Sequence, residues 1–236
     1  MLALILLALA GPAAANPAPP IRHMVFTAHI EGDGHASAPM RGANAGEADP
    51  GGSTYGSVGQ NGRVSETMTI DVDVMGALDD GSLVVRVTES GKDAAAPAQL
   101  GITKDGDLIS IDGDGVSVEA APLLRLLARN FVVGHDVDPG SSWTLPFGPE
   151  RSGTMHVSVS ASDGAHLALD LRGESFLTNP AIRRQRMTGQ VTYDSAHTVP
   201  LNASVDESIS VEDGTEIDSG NYQMRYTLES DSLGGS

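Results

Sequence analysis

Hydrophobic and polar residues alternate with a period of two along most of the chain after residue 62. Between Val64 and Val74 the even positions are mainly apolar and the odd positions are polar, which is typical of a strand with one buried and one solvated face. The same alternation covers residues 24–30, 83–88, 155–161, 165–171, 187–193, 199–205 and 222–228, and shorter strands are predicted at 99–103, 108–111 and 116–119. About nine to ten of these segments have one wet face and are expected to pair as antiparallel strands.

The turns between these segments predict how neighbouring strands pair, because like faces must oppose each other across a hairpin. A four-residue turn at Leu78–Gly81 pairs Val74 with Val85 and places Asp73 opposite Arg86. Such an exposed ion pair stabilises a fold by at most about 1 kcal/mol.

A second hairpin is predicted to turn at Ser162–Gly164. Both flanking segments carry apolar residues at odd positions, so a three-residue turn with Gly164 in the left-handed conformation keeps the faces in phase. This turn pairs Val159 with Leu167 on the inside and places His156 opposite Asp170 on the outside.

Residues 120–130 are predicted to form one short helix. Four leucines form a broad apolar face, two arginines lie opposite, Pro122 suits the first turn and Gly134 follows the end. A sheet of this size must bury its apolar face, and no second set of helices is predicted to cover it. We therefore expect a mainly β fold, a curved antiparallel sheet forming a barrel or half-barrel, with this helix as plug or lid.

The first residues have the pattern of a secretory signal peptide. Residues 2–10 are an unbroken apolar run, too short to span a bilayer, and three alanines at 13–15 supply the small residues of a cleavage site. We expect cleavage after Ala15, a single β domain over residues 16–236, no transmembrane anchor, and a periplasmic or extracellular location.

Residues 31–62 interrupt the strand pattern. Glycine is frequent in this segment and apolar residues are almost absent, so we expect a disordered insertion between the first two long strands. It is either a mobile lid or a surface insertion without a role.

Charge and composition narrow the class of protein. The 236 residues carry 31 acidic and 14 basic side chains, a formal net charge of −17, which disfavours binding to nucleic acid. The chain has no cysteine, which excludes disulfides, thiolate metal sites and a cysteine nucleophile. Motifs for a serine nucleophile elbow, a zinc protease helix and a phosphate-binding loop are also absent from the sequence. No cofactor is predicted.

Two groups of side chains resemble metal ligands in type and spacing. The first lies at alternate positions and would share one face only if its strand continued through Gly32 and Gly34, and the second surrounds two Asp-Gly turns. Each group has an ordinary alternative, a solvated strand end or plain turn chemistry. The first group is His29, Glu31, Asp33 and His35, and the second is Asp105, Asp107, Asp112 and Asp114.

Glu207 falls at an apolar position of its strand, between Val205 and Ile209. An inward carboxylate would need a partner and could serve as a ligand or a catalytic group. The alternative, which we favour from the sequence, is a bulge that turns Glu207 outward. Glu207, or a His156–Asp170 pair, would be the centre of a secreted hydrolase.

The predicted interior is rich in methionine. Met24, Met68, Met155, Met187 and Met224 all fall in the buried phase of different strands, and Met adapts to varied apolar partners. This pattern indicates either a cavity or ordinary filling of a core that is short of aromatic rings.

The layout of a signal peptide, long hairpins, a midway helix and further hairpins resembles the half-open barrels of bacterial periplasmic lipid and lipoprotein carriers of the LolA type. The segment Val137–Trp143 (VDPGSSW) also resembles the V-x-P-G-x-x-W turn of uncharacterised secreted bacterial proteins. In such carriers the concave sheet holds acyl chains under a helical lid. The resemblance implies liners at Met68, Ile70, Met155, Leu169, Met187 and Met224, and lid contacts at Leu123, Leu124 and Leu127.

Three functions are compatible with these features of the sequence. The first is a non-enzymatic secreted protein that binds an apolar small molecule, a lipid or an apolar partner segment inside the sheet. The second is a structural, envelope-associated β-protein with a filled core. The third is the hydrolase described above.

Overall fold

The computed structural model describes residues 19–35, 62–91, 95–113, 115–213 and 216–233. The predicted signal peptide, most of the glycine-rich insertion and Asp114 lie outside these residues. The elements are β1 (Arg22–His35), β2 (Gly62–Ala77), β3 (Leu83–Ser90), β4 (Ala98–Ile102), β5 (Leu108–Asp112), α1 (Ala121–Leu126), β6 (Ser142–Phe147), β7 (Gly153–Ser162), β8 (His166–Leu177), β9 (Ile182–Asp194), β10 (Val199–Asp213) and β11 (Glu216–Asp231).

All eleven strands form one antiparallel sheet in the order β5-β4-β3-β2-β1-β11-β10-β9-β8-β7-β6. Consecutive strands pair with each other, except β5 and β6, and the first strand pairs with the last near the middle of the sheet. The terminal strands β5 and β6 do not pair with each other. The sheet is therefore curved but open, and the predicted mainly β half-barrel is confirmed.

Two short segments differ from the prediction. Strand β6 begins within the segment assigned to the turn motif and continues through Pro146, and its pairing with β7 raises the strand number to eleven. The strand predicted at 116–119 is wrong, because these residues form the turn that leads into α1.

The alternation correctly separates the two faces of the long strands. In β2, for example, Met68, Ile70, Val72 and Val74 are all buried. Val74 pairs with Val85 and Asp73 with Arg86, as predicted, and an Arg86 Nη2 donates to Asp73 Oδ2 over 2.6 Å.

The predicted register of the β7–β8 hairpin is wrong. Ser162 pairs with Leu167, so the turn spans four residues rather than the predicted three, and a bulge lies between Val159 and Ala161. As a result, Val159 faces Leu169 rather than Leu167. The apolar faces still oppose each other, because the shift along β8 is two residues.

The insertion between β1 and β2 is also shorter than predicted. Residues 31–35 continue β1 and pair with both β2 and β11, and Gly62 already belongs to β2. The glycines at 32 and 34 do not break the strand, because neighbours on both sides supply its backbone hydrogen bonds.

The helix α1 lies against the apolar face of the sheet and is shorter than predicted. Ala128 takes an extended backbone conformation and ends it, and one turn of 3-10 helix follows at Arg129–Phe131. Leu123, Leu124 and Leu126 are fully buried in the same core as the inward side chains of the strands. No helix among the described residues has the length and apolar character needed to cross a membrane.

Candidate functional site

The side chains predicted to line a cavity all belong to the one hydrophobic core. Their exposed fractions range only from 0% to 8%. They are Met68, Ile70, Met155, Leu169, Met187 and Met224 from the sheet, and Leu123, Leu124 and Leu127 from α1 and the residue after it. In this conformation the helix fills the hollow that the curved sheet surrounds.

A small cavity lies at the seam between the two terminal strands. Its volume is about 60 Å³, whereas ligand pockets usually measure about 300–1,000 Å³. Its walls include Leu100, Leu108, Phe131, Phe147, Met155 and Met187. The guanidinium of Arg125 also reaches this cavity and lies 5.9 Å from the centre of the Phe147 ring.

Polar contacts hold the helix segment to both halves of the sheet. The Tyr193 hydroxyl donates to the Leu126 carbonyl over 2.7 Å, and the Tyr226 hydroxyl donates to the Glu119 carbonyl. On the other side, the Ser117 backbone N–H donates to Glu89 Oε1 over 2.9 Å. Burial raises the pKa of both tyrosines well above the usual value, so each hydroxyl keeps its proton and remains a donor.

Sequence reasoning missed these two tyrosine anchors, although a signal for them was present. Both fall in the buried phase of their strands, and a buried phenol needs a hydrogen-bond partner. The partner could not be identified, because it lies 67 residues away along the chain for Tyr193 and 107 for Tyr226.

Glu207 points inward, so the predicted outward bulge is wrong. Its strand keeps regular pairing, with Met187 on one side and Tyr222 on the other, and only 3% of the residue is exposed. The Gln185 amide donates to Glu207 Oε1 and satisfies the carboxyl within the sheet. Burial raises the pKa of Glu207, while Arg125 and the Gln185 hydrogen bond oppose that change.

Glu119, in the turn before α1, is a second carboxyl group with a raised pKa. Burial raises the pKa of Glu119, and the neighbouring Glu89 and Glu66 charges raise it further. Burial is the largest cause of the raised pKa of Tyr226, and the charges of Glu207, Glu119 and Glu89 raise it further. This end of the interior therefore disfavours additional negative charge.

The predicted His156–Asp170 pair is not formed. His156 faces Thr144 and Arg172 in the sheet, and Asp170 accepts a 2.9 Å hydrogen bond from the Gln190 amide. The shifted β7–β8 register is the reason. These two residues thus give no support to a hydrolase.

The first metal-ligand group lies on a continuous strand, contrary to the expected break at Gly32 and Gly34. His29 Nδ1 is 2.8 Å from Thr67 Oγ1, and the Asn221 amide donates to Asp33 Oδ1 over 3.3 Å. The side chain of His35 lies outside the described residues. Among the side chains that are described, no group of three or more acidic, histidine or cysteine residues could hold a metal ion.

The second metal-ligand group is partly engaged by an arginine. An Arg151 Nη2 lies 2.8 Å from Asp105 Oδ2 and 2.8 Å from Asp107 Oδ2. This contact joins the turn before β5 to the residues after β6 and so bridges the open seam at one end. Asp112 is exposed at the end of β5.

Comparisons with known proteins give little further guidance. No family model matches the chain, and no curated protein matches it. A solved structure that matches describes lipid–protein interactions in lipovitellin, with 8% identity and a TM-score of 0.44, covering 94% of this chain and 26% of that chain. This chain thus spans about a quarter of that protein, and so low a structural similarity carries no argument about a ligand. The resemblance to LolA-type carriers stays a prediction.

Proposed function

We propose that the chain is a non-enzymatic protein that binds an apolar ligand, or an apolar segment of a partner, in the hollow now filled by α1. The hollow has methionines from five strands on its wall, among them Met68, Met155 and Met187. Unbranched thioether side chains can repack around ligands of different shape. The proposed location, a periplasm or the extracellular space, rests on the signal-peptide pattern.

The observation that carries this proposal is the way in which α1 is attached. It contributes no strand to the sheet, and none of the strand pairs includes it. It is six residues long and its N-cap, Ala120, makes no side-chain capping bond, so little local structure stabilises it. The helix can leave the hollow while the sheet stays intact, provided that a ligand replaces its buried apolar contacts and that Tyr193 and Tyr226 find other hydrogen-bond acceptors.

One observation favours a second function, a structural β-protein without a ligand. The apolar side chains of the sheet and of α1 fill the interior in this conformation, and the cavity at the seam measures only about 60 Å³. A protein that never exchanges α1 for a ligand would have this appearance. The two functions differ in whether α1 can be displaced.

Native mass spectrometry of residues 16–236, purified from a bacterial periplasm, tests the proposal. We expect a lipid-sized adduct that disappears on denaturing extraction, and uptake of a fluorescent fatty acid by the delipidated protein. Met187→Gln should reduce uptake because it places an amide in the apolar wall. Met75→Gln is the matched control, since Met75 sits in a bulge of β2, is only half-buried and is not part of the hydrophobic core. A protein free of adduct and without fatty acid uptake would favour the structural function.

A further inference from the structure

One carboxyl group lies in the apolar wall of the hollow. Glu207 points inward from β10, and only 3% of the residue is exposed. Its neighbours in register are Met187 and Tyr222, so the carboxyl group is set among apolar and aromatic side chains. The Gln185 amide donates to Oε1, whereas Oε2 accepts no hydrogen bond from the residues that the structure describes. A carboxylate buried in this way requires a compensating charge.

The compensating charge belongs to α1. Burial raises the pKa of Glu207, and the charge of Arg125 opposes this change. The Arg125 side chain borders the cavity at the seam together with Met155 and Met187, and Met187 pairs with Glu207 in the sheet. The guanidinium contacts the Phe147 ring but makes no hydrogen bond or close ion pair with any described residue. Arg125 therefore offsets the charge of Glu207 from a distance, without binding the carboxyl group.

Among the described residues, the sheet offers no replacement for Arg125. Arg183 has the same inward phase on β9, but in register it lies four residues from Glu207, or about 13 Å along the strands. Two further ionisable side chains of the inward phase, Glu66 on β2 and Glu89 on β3, are acidic. When a ligand displaces α1, Arg125 leaves with the helix and the charge of Glu207 stays behind in the wall.

We propose that the ligand that replaces α1 is a cationic amphiphile, an alkyl chain with one ammonium group, and that Glu207 binds the ammonium group. This inference rests on the proposed function, because it names the class of ligand for the same hollow. The alkyl chain takes the place of the buried leucines of α1, and the ammonium group takes the place of Arg125. An ammonium group is compact and donates up to three hydrogen bonds, so it can bind Oε2 directly.

Other head groups fit this position less well. A carboxylate or phosphate would add a second negative charge beside Glu207, and like charges disfavour each other's ionised form. A neutral chain would leave the buried carboxyl group without a compensating charge. Such chains can still bind through their apolar part, so uptake of a fatty acid is expected to be weaker rather than absent.

Calorimetry with three chains of equal length tests this inference on the delipidated chain, residues 16–236. At neutral pH decylamine is positively charged, decanol is neutral and decanoate is negatively charged, and each is used below the concentration at which it aggregates. We expect decylamine to bind about tenfold more tightly than decanol, because one charge-assisted hydrogen bond contributes a difference of this order. Decanoate should bind most weakly of the three.

Three variants assign the selectivity to Glu207. Glu207→Gln should abolish the preference for decylamine and leave decanol binding unchanged. Glu174→Gln is the matched control, because it removes one acidic charge from a side chain that is 52% exposed on β8, and it should keep the preference. Arg125→Gln should strengthen decylamine binding, because it removes the protein's own cation from the neighbourhood of Glu207.

The outcomes separate this inference from the proposed function. Equal binding of the three chains by the natural protein, or a preference for decylamine that survives Glu207→Gln, would overturn the inference while the proposed function stands. Loss of the preference in Glu174→Gln, or weaker decylamine binding by Arg125→Gln, would overturn it as well. If none of the three chains binds, the proposed function itself fails and the inference falls with it.

Discussion

Replacing Leu124 with alanine tests how firmly α1 is seated in the sheet. Leu124 is fully buried in the common core, and the change removes three carbon atoms, worth about 2.4 kcal/mol at about 0.8 kcal/mol each. Because the surroundings are filled and cannot close over the space, a cavity term adds to this loss. We expect the free energy of unfolding to fall by about 3–4 kcal/mol in total.

Urea unfolding of residues 16–236, followed by the fluorescence of Trp143 and by circular dichroism, measures this loss. Leu78→Ala is the control, because Leu78 is 56% exposed in the β2–β3 turn, and it should change stability by less than about 0.5 kcal/mol. A loss below about 1.5 kcal/mol for Leu124→Ala, with an unchanged dependence on urea, would refute the inference that α1 is tightly packed. In that case α1 would contribute little packing free energy, and a ligand could displace it easily.

Three further changes have distinct expected outcomes. Folding raises the pKa of Glu207, so its ionisation destabilises the fold as pH rises above the ordinary value of 4.5. The stability of Glu207→Gln relative to the natural chain should therefore increase between pH 4.5 and neutrality. The same difference in melting temperature between the two proteins at both pH values would contradict this. Gly153→Ala should destabilise the fold by more than about 2 kcal/mol, because the added Cβ would lie 1.9 Å from the Glu174 carbonyl oxygen. Gly164→Ala is the comparison: Gly164 has a φ of +86° but open space around it, so this change should cost about 1 kcal/mol of stability. Arg151→Ala should leave global stability within about 1 kcal/mol but speed amide exchange in β5, and unchanged exchange would show that the Arg151 bridge does not hold the seam.

Much of the fold is predictable from the sequence, because each long strand has one buried face. The phase of β2 correctly identifies Met68 and Ile70 as inward, and the turn after it correctly pairs Asp73 with Arg86. Register is less predictable in the β7–β8 hairpin, where a turn longer than expected and a bulge between Val159 and Ala161 together shift the pairing by two residues. The phase constraint allows any even shift, so it cannot detect this one.

The candidate site was predictable only in part. The apolar liners follow from strand phase, but the environment of Glu207 depends on Gln185, which lies on a neighbouring strand. The same limit applies to Arg151, whose partners Asp105 and Asp107 are more than 40 residues away. Contacts across such distances depend on strand order, which alternation alone does not determine.

The pairing of β1 with β11 has a consequence for how the chain folds. The Arg22 guanidinium meets Asp231 across a separation of 209 residues, and contacts of this range slow folding because a long loop must close first. The hairpins on either side can form early, since their strands are neighbours in sequence. They can unite into one sheet only after the last strand has been synthesised, so a chain truncated before β11 should yield two separate half-sheets with exposed central edges.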